Sequence, residues 1–229
     1  QEKIAEILSA VDQVIEEVGE SINKTEQLKK GLMQELLTRG IGHEEFKETE
    51  IGRIPKEWKV IKLENLLCLE YGDGLTDRER RGSEYPVYGS NGIIGYNSKY
   101  LVEGPGIIVG RKGTIGAIKW SEVNFWPIDT TYYVKLKELR INLRWLFYKL
   151  STLSLSKLNM ATGTPGLNRD LVYKLKISVP LFQEQERIVE ILLTIDKRIQ
   201  FLKEKKNKLE KVKKGLMSEL LTGRKRVKA

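Results

Sequence analysis

Apolar residues recur at Ile4, Leu8, Val11, Ile15, Val18 and Ile22 in alternating steps of four and three, and the spacing returns at Ile188, Leu192, Ile195, Ile199 and Leu202. A mean period of about 3.5 marks a heptad seam, so both stretches predict long helices that pair as a left-handed coiled coil. The stretches are copies of one another. Gln1–Thr38 aligns without a gap on Gln185–Thr222, with roughly twenty of about thirty-eight positions identical, a self-similarity that takes precedence over other features. At 1.5 Å per residue each predicted helix is on the order of 55 Å long, more than the width of a small domain. The seam shifts phase near Leu28 and Val212 and continues through Leu32 and Leu36, or Leu216 and Leu220, while Ile22 and Thr25 give way to Lys206 and Leu209 in the second copy. Gly31 and Gly215 hold the same place in the two KKGLM runs. A helix-interior Gly costs about 1 kcal/mol against Ala, so its repetition predicts the close approach of another backbone, or a bend.

Between the copies the texture changes to Gly, aromatic and β-branched residues. Ile54-Pro55 and Trp58 mark the entrance to a domain, and WKVIKL predicts its first strand. The run YGDGLTDRERRGSEYPVYG holds too many Gly and polar residues for regular structure and predicts a loop. YGSNGIIGY and GIIVGRKGTIGAIKW predict strand-turn-strand units that reverse at Ser90-Asn91-Gly92 and Arg111-Lys112-Gly113. Leu139 to Leu155 predicts a helix with Leu143, Leu146, Phe147, Leu150 and Leu153 on its core side. A Gly/Thr/Pro-rich loop then leads to a helix start near Asn168, and KLKISVPL predicts a short strand feeding the second copy. The expected fold is α+β: a globular domain of mixed strands and helices at 42–184, long helices at 1–41 and 185–223 forming an antiparallel coiled coil, and a basic tail at 224–229.

Charge refines this picture. The chain carries a net charge of +9, yet the first forty residues come to roughly −3 and Gln185–Ala229 to roughly +8, so the two helices favour each other as partners. For any single charged residue the plain reading is a solvated helix face. The overall basic excess favours a polyanionic partner. The catalytic inventory is nearly empty, with no phosphate-loop motif and no G-x-G-x-x-G after a strand. His43, the sole histidine, lies in a Gly- and Glu-rich connector and reads as a surface residue. Cys68, the sole cysteine, has apolar neighbours and reads as a buried thiol; disulfides and Cys/His zinc sites are out of reach. Asp73 with Asp77, and Glu44 with Glu45, lack any supporting motif. The expectation is a reader or adaptor without a cofactor or metal, and not an enzyme acting alone. No apolar run approaches about eighteen residues and no signal-peptide pattern is present, which predicts a soluble cytoplasmic protein with no membrane partner. The start at Gln1 in place of Met predicts further residues ahead of the first repeat.

The Gly-rich loops hold the candidate contacts to nucleic acid. Arg78, Arg80, Arg81, Arg111, Lys112 and Arg169 are assigned to the nucleic-acid face, with Tyr88, Ser90 and Asn91 as candidates for base edges. Thr114, Thr164 and Asn168 complete the set, Asn168 and Arg169 standing at the helix start where an anion is favoured. For each residue alone, a turn position with a solvated tip is an equal reading; together the basic loops and aromatic edges point to nucleic acid.

The runs FKETEIGRIPKEW, YPVYGSNGIIGY, IIVGRKGTIGA and ATGTPGLNRDLVYKLKISVPLFQEQERIVEIL, with GLMSELLTGRKRV near the end, resemble the specificity subunit of type I restriction-modification enzymes. The resemblance covers nearly the whole chain. It implies a non-catalytic subunit that recognises double-stranded DNA by sequence. Such a subunit docks modification (methyltransferase) subunits, which bring S-adenosylmethionine and methylate adenine, and through the complex an ATP-dependent restriction subunit. The family carries two target recognition domains joined by two long helices over a bipartite site, whereas this sequence holds both helices and one domain. A homodimer would restore two domains. The rival readings are a coiled-coil scaffold whose domain binds protein, and a solitary DNA-binding regulator.

Overall fold

The computed structural model describes residues 2–138, 140–158 and 166–221. In chain order the elements are α1 (Glu2–Leu36), β1 (Phe46–Thr49), β2 (Gly52–Pro55), β3 (Lys59–Lys62), α2 (Leu63–Leu66), β4 (Leu67–Tyr71), β5 (Tyr85–Gly89) and β6 (Gly92–Asn97). They continue with β7 (Gly106–Gly110), β8 (Ile118–Ser121), β9 (Trp126–Pro127), β10 (Thr131–Leu136), α3 (Leu143–Thr152), a 3-10 turn (Leu155–Leu158), α4 (Arg169–Lys174), β11 (Lys176–Val179) and α5 (Phe182–Leu221). The chain divides into two compact units: residues 35–189 form one, and the helical stretches before 35 and after 189 form the other.

In the helical unit the two copies pair. Asp12 binds Lys213 (2.5 Å), Glu26 binds Lys203 (2.7 Å) and Lys29 binds Asp196 (2.6 Å); partner numbers fall along α5 as they rise along α1, so the helices run antiparallel. Val18, Ile22 and Leu202 form the apolar centre of the seam, with Leu209 packed against them. The ion pairs are partly exposed and contribute at most about 1 kcal/mol each; burial of the seam stabilises the pair, and the charges select the partner and its direction. Lys206, which stands in place of Ile22 in the second copy, is half-buried, its Nζ 3.6 Å from where a β-carbon on Gly19 would lie. Leu28 and Val212 are each 53% exposed where the seam shifts phase. The close approach expected at Gly31 and Gly215 is not formed: among the described residues, a β-carbon added to either would meet nothing within 4 Å.

The globular unit is built on an antiparallel sheet in the order β4-β10-β7-β8, beside a three-stranded sheet in the order β6-β5-β9. β5 is central in its sheet, antiparallel to β6 and parallel to β9. The β5–β6 hairpin turns at Ser90-Asn91 between paired Gly89 and Gly92, and Gly92 has φ +132°, a value that L side chains rarely adopt. β7 and β8 form the second expected hairpin, but their connection runs through 111–117, longer than the tight turn the sequence suggests. The connector is more ordered than expected, because β1 and β2 pair around a turn closed by Thr49 Oγ1 donating to the Gly52 carbonyl (2.6 Å). The helix anticipated over 139–155 is the shorter α3, capped by Asn142, whose side chain accepts from the amides of Arg144 and Trp145. Trp145, Leu146, Tyr148 and Leu150 are buried on it. Cys68 is a free thiol, half-buried on β4.

The segments that leave α1 and enter α5 are fastened inside this unit. Glu184 Oε1 accepts from the Ile41 amide (3.0 Å) and from His43 Nε2 (2.8 Å), and Oε2 accepts from Trp58 Nε1 (2.8 Å). His43 is thus a half-buried structural residue, not a surface one. Lys149, 7% exposed, donates to the Leu37 carbonyl (2.7 Å) and Ser178 Oγ (3.1 Å), satisfying a carbonyl that the end of α1 leaves without a helical partner. Gln185, fully buried, accepts from the Asn142 amide (2.8 Å) and donates to the Pro180 carbonyl (3.0 Å).

Leu202→Asp places an unpaired charge in the seam and should destabilise the helical unit by several kcal/mol, while Leu28→Asp, at an exposed position, should change stability by about 0.5 kcal/mol or less; thermal melts followed by circular dichroism measure both. Burial lowers the Lys149 pKa from its ordinary 10.5 to about 8. Between those values the unfolded chain holds the proton and the native chain does not, so this residue makes stability rise with pH through that window, by up to on the order of 3 kcal/mol. Urea melts from pH 8 to 10.5 should show the rise in the wild type and its loss in Lys149→Met.

Candidate nucleic-acid interface

Four loop segments meet where β4, β5 and β7 end and β10 begins. After Gly110 the chain turns through Gly113 and Gly116, with φ +73° and +74°. The amides of Arg111 and Lys112 donate to the Thr130 carbonyl (2.9 and 3.0 Å), and Arg111 Nε and Nη2 donate to the Asp129 carbonyl (2.9 and 2.6 Å). Ser90 Oγ accepts from the Thr114 amide (3.2 Å), joining the β5–β6 turn to the same loop. The Leu167 amide donates to the Arg111 carbonyl (2.8 Å), and Tyr132 Oη donates to the Leu167 carbonyl (3.2 Å). Residues distant in sequence are therefore held together by backbone bonds and by the side chains of Arg111, Ser90 and Tyr132.

At the centre of these loops stands Tyr71, the last residue of β4 and 51% exposed. It pairs across the strands with Tyr132, their ring centroids 5.0 Å apart. The Arg111 guanidinium carbon lies 5.2 Å from the Tyr71 ring centroid and 6.0 Å from that of Tyr132, and the Arg169 guanidinium carbon lies 5.1 Å from the Tyr71 centroid. Among the described residues no carboxylate pairs with either guanidinium. Tyr132 is 3% exposed; burial, helped by the hydrogen bond and charge of Tyr71, pushes its pKa up to about 12, with Arg111 and Arg169 pulling the other way. It stays a neutral phenol beneath two cations.

The structure brings together Ser90, Asn91, Arg111, Lys112, Thr114, Asn168 and Arg169, and separates them from the arginine loop. The Arg81 carbonyl accepts from the Ser98 amide (2.8 Å) and the Arg81 amide donates to Asn97 Oδ1 (3.3 Å), so Arg78 and Arg81 lie by the far end of β6, about 17 Å along the strand from the Ser90 turn. Both are exposed. Arg80 is not available as a phosphate contact: Nε and Nη2 donate to the Leu75 carbonyl (3.2 and 3.1 Å), and the side chain pairs with Asp77 at 18% exposure. Tyr88 is also withdrawn from the surface. Only 7% exposed, it stacks edge-on against Phe125 and its hydroxyl donates to the Trp120 carbonyl (3.2 Å), because β5 is a central strand with residues 86–89 all buried. Ser90 spends its hydroxyl on the loop, while Asn91 and Thr114 are exposed and Lys112 is half-buried. Asn168 caps the six-residue α4 by accepting from the Asp170 amide (2.8 Å). Thr164 lies outside the described residues. Tyr71 is the site residue absent from the sequence reading; it opens a Gly-rich run that looks like the start of a loop, and its role rests on pairing with Tyr132, sixty-one positions on.

No group of His, Cys, Asp and Glu among the described residues is arranged to hold a metal ion, and no helix among them is long and apolar enough to cross a membrane. Residues 55–211 match the family model described as the type I restriction modification DNA specificity domain. The chain is 29% identical to the specificity subunit of the type I restriction enzyme MjaVIII of Methanocaldococcus jannaschii, an alignment spanning 100% of this chain and 60% of that relative. With the EcoprrI specificity subunit of Escherichia coli it shares 27% identity over 66% of this chain and 38% of the relative. The chain thus spans about 60% of the length of the first of these relatives. Its fold is similar to that of the S subunit of a type I restriction-modification system from M. genitalium, with a TM-score of 0.73 at 18% identity over 94% of this chain and 59% of the other. The HsdS subunit from Thermoanaerobacter tengcongensis is also similar, with a TM-score of 0.62 at 16% identity over 95% of this chain and 56% of the other. With more than half of its residues matched by the family model and its fold shared with two solved subunits, the chain belongs to the type I restriction modification DNA specificity domain family.

Proposed function

We propose that this chain recognises a specific sequence in double-stranded DNA and supplies that address to a type I methyltransferase and restriction assembly, with no catalytic centre of its own. The observation that carries the reading is the loop cluster around Arg111, Lys112 and Arg169, cationic and half-buried with Asn91 and Thr114 exposed beside it, in a chain of the specificity-domain family. Cations at such a surface neutralise phosphates and set register, while neighbouring polar side chains read base edges. Asn91 and Thr114 are the exposed candidates for base edges, and Arg78 and Arg81 extend the charged surface at the far end of β6.

The region 42–184 is then the target recognition domain, and the helices at 1–41 and 185–223 are the elements that dock modification subunits. A restriction subunit joins through that complex, and the protein works in the cytoplasm. One recognition domain reads one half-site, so a homodimer would read two inverted copies. The test is a footprint of this chain bound to its modification subunit, together with the mass of the complex in solution. Protection of one short half-site by a monomer, or of two inverted half-sites by a dimer, is expected; two unrelated half-sequences protected by a complex with this chain as its only specificity chain would overturn the reading.

Combined Arg111→Ala and Lys112→Ala replacement should weaken binding on target and random duplexes alike and lower the salt dependence by about one counterion for each phosphate that is no longer neutralised. Asn91→Ala should instead cost about 1–3 kcal/mol at one position of the site. Fluorescence anisotropy titrations at several salt concentrations separate the two effects.

A further inference from the structure

We infer that Tyr71 is a positioning residue that holds Arg111 and Arg169 as a pair against the phosphodiester backbone of duplex DNA, an inference that rests on the DNA-recognition reading above. Both guanidinium groups stand over one ring, their carbons 5.2 and 5.1 Å from its centroid, although 58 residues separate them in the chain. A second ring, Tyr132, sits behind the first and is fixed by its hydrogen bond to the Leu167 carbonyl. Since each carbon is about 5 Å from the same centroid, the two are at most on the order of 10 Å apart, within reach of neighbouring phosphates on a strand that advances about 3.4 Å per nucleotide.

The charge balance points the same way. Arg144 is the contrasting case: its guanidinium carbon lies 4.4 Å from the Trp120 ring centroid, but Glu122 neutralises it at 2.8 Å and the side chain is only 16% exposed. Arg80 likewise has Asp77 and the Leu75 carbonyl. Arg111 and Arg169 have no such carboxylate among the described residues. Asp129 accepts from Arg111 through its backbone carbonyl, which leaves Nη1 unspent, and the Arg169 side chain makes no hydrogen bond to the described residues. Two uncompensated cations over one ring repel each other in the free protein, and a bound phosphate removes that cost. The aromatic face offsets part of it meanwhile, since the electron-rich face of a Tyr ring attracts a cation placed over it. Guanidinium groups suit this task because their planar forks match phosphate oxygens and stack on rings at the same time.

The experiment uses the complex of this chain with its modification subunit, titrated with its target duplex, found by mapping the adenines that the complex methylates, and with a random duplex. Tyr71→Leu removes the ring without changing charge. It should weaken both duplexes by the same factor, about three- to tenfold, and lower the salt slope by up to about one. Tyr71→Phe, which keeps the ring, should behave as wild type, and Arg169→Ala should lower the slope by about one. If Tyr71→Leu perturbs folding in a thermal melt, Arg169→Ala and Tyr71→Phe still decide. An unchanged slope in Arg169→Ala, wild-type binding by folded Tyr71→Leu, a defect in Tyr71→Phe equal to that in Tyr71→Leu, or a loss confined to the target duplex would each overturn the inference. A wild-type complex that fails to distinguish target from random duplex would instead overturn the DNA-recognition reading itself.

Discussion

The carboxylate of Glu184 closes the globular unit. It accepts from the amide of Ile41, from the ring of His43 and from the indole of Trp58, so the segment after α1, the domain entrance and the first turn of α5 converge on two oxygens. At 13% side-chain exposure the carboxylate has lost most of its water, and a charge so placed is tolerated only where hydrogen bonds replace the solvent. Bonds to an ionised acceptor contribute about 1.5–3 kcal/mol each when formed and cost more when one partner is lost. The geometry leaves no room for variation around it: Gly40 has φ +72°, and a β-carbon there would overlap the Glu184 carboxylate and crowd Trp58 and His43. A side chain at that position is excluded both by the backbone and by the space.

Lys149 and Gln185 extend the same logic. Each is a buried polar residue with bonds to backbone groups at element ends, the Leu37 carbonyl, the Asn142 amide and the Pro180 carbonyl, and Lys149 reaches Ser178 Oγ as well. Loops and helix termini expose groups that sheets and helix interiors satisfy by themselves. Buried Lys149, Ser178 and Gln185 therefore lie where the chain enters and leaves the domain, while Trp58, Ile107, Ile108 and Phe125 are fully buried in the apolar core.

What was legible in the chain followed from local periodicity. The seam through Val18, Ile22 and Leu202 reads directly as period 3.5, and Ser90-Asn91-Gly92 reads as a tight hairpin because a glycine must follow the turn. β4 and β10 were not legible, since LCLEY and TYYVKL are short and acquire their register only from each other. Tyr88 misled because an aromatic beside a glycine turn looks like a reading edge, whereas membership of a central strand buries it. Arg80 misled because charge alone does not tell a solvated arginine from one that ties its own loop; the turn at Thr76, held by Glu79, directs Arg80 back to the Leu75 carbonyl. The Glu184 hub joins residues 126 to 143 positions apart, a separation at which no local pattern survives.

On the DNA-recognition reading proposed above, the separation between hub and loops bears on how such a domain would change its target. The hub depends on residues at the domain's ends, and the loop cluster depends on backbone bonds involving Thr130 and Leu167 and on the Arg111 side chain donating to the Asp129 carbonyl. Backbone bonds do not depend on the side chains they carry, so Asn91, Thr114 or Lys112 can be exchanged without loosening the loop that presents them. Ser90 and Arg111 are the exceptions, because the Ser90 hydroxyl and the Arg111 guanidinium make bonds that hold the loop. Phosphate contacts fix register while sequence is read at base edges and through DNA shape, so on this reading the arginine pair over Tyr71 can stay constant while the polar tips around it vary. A new target then requires changes only at side chains on which the fold does not depend.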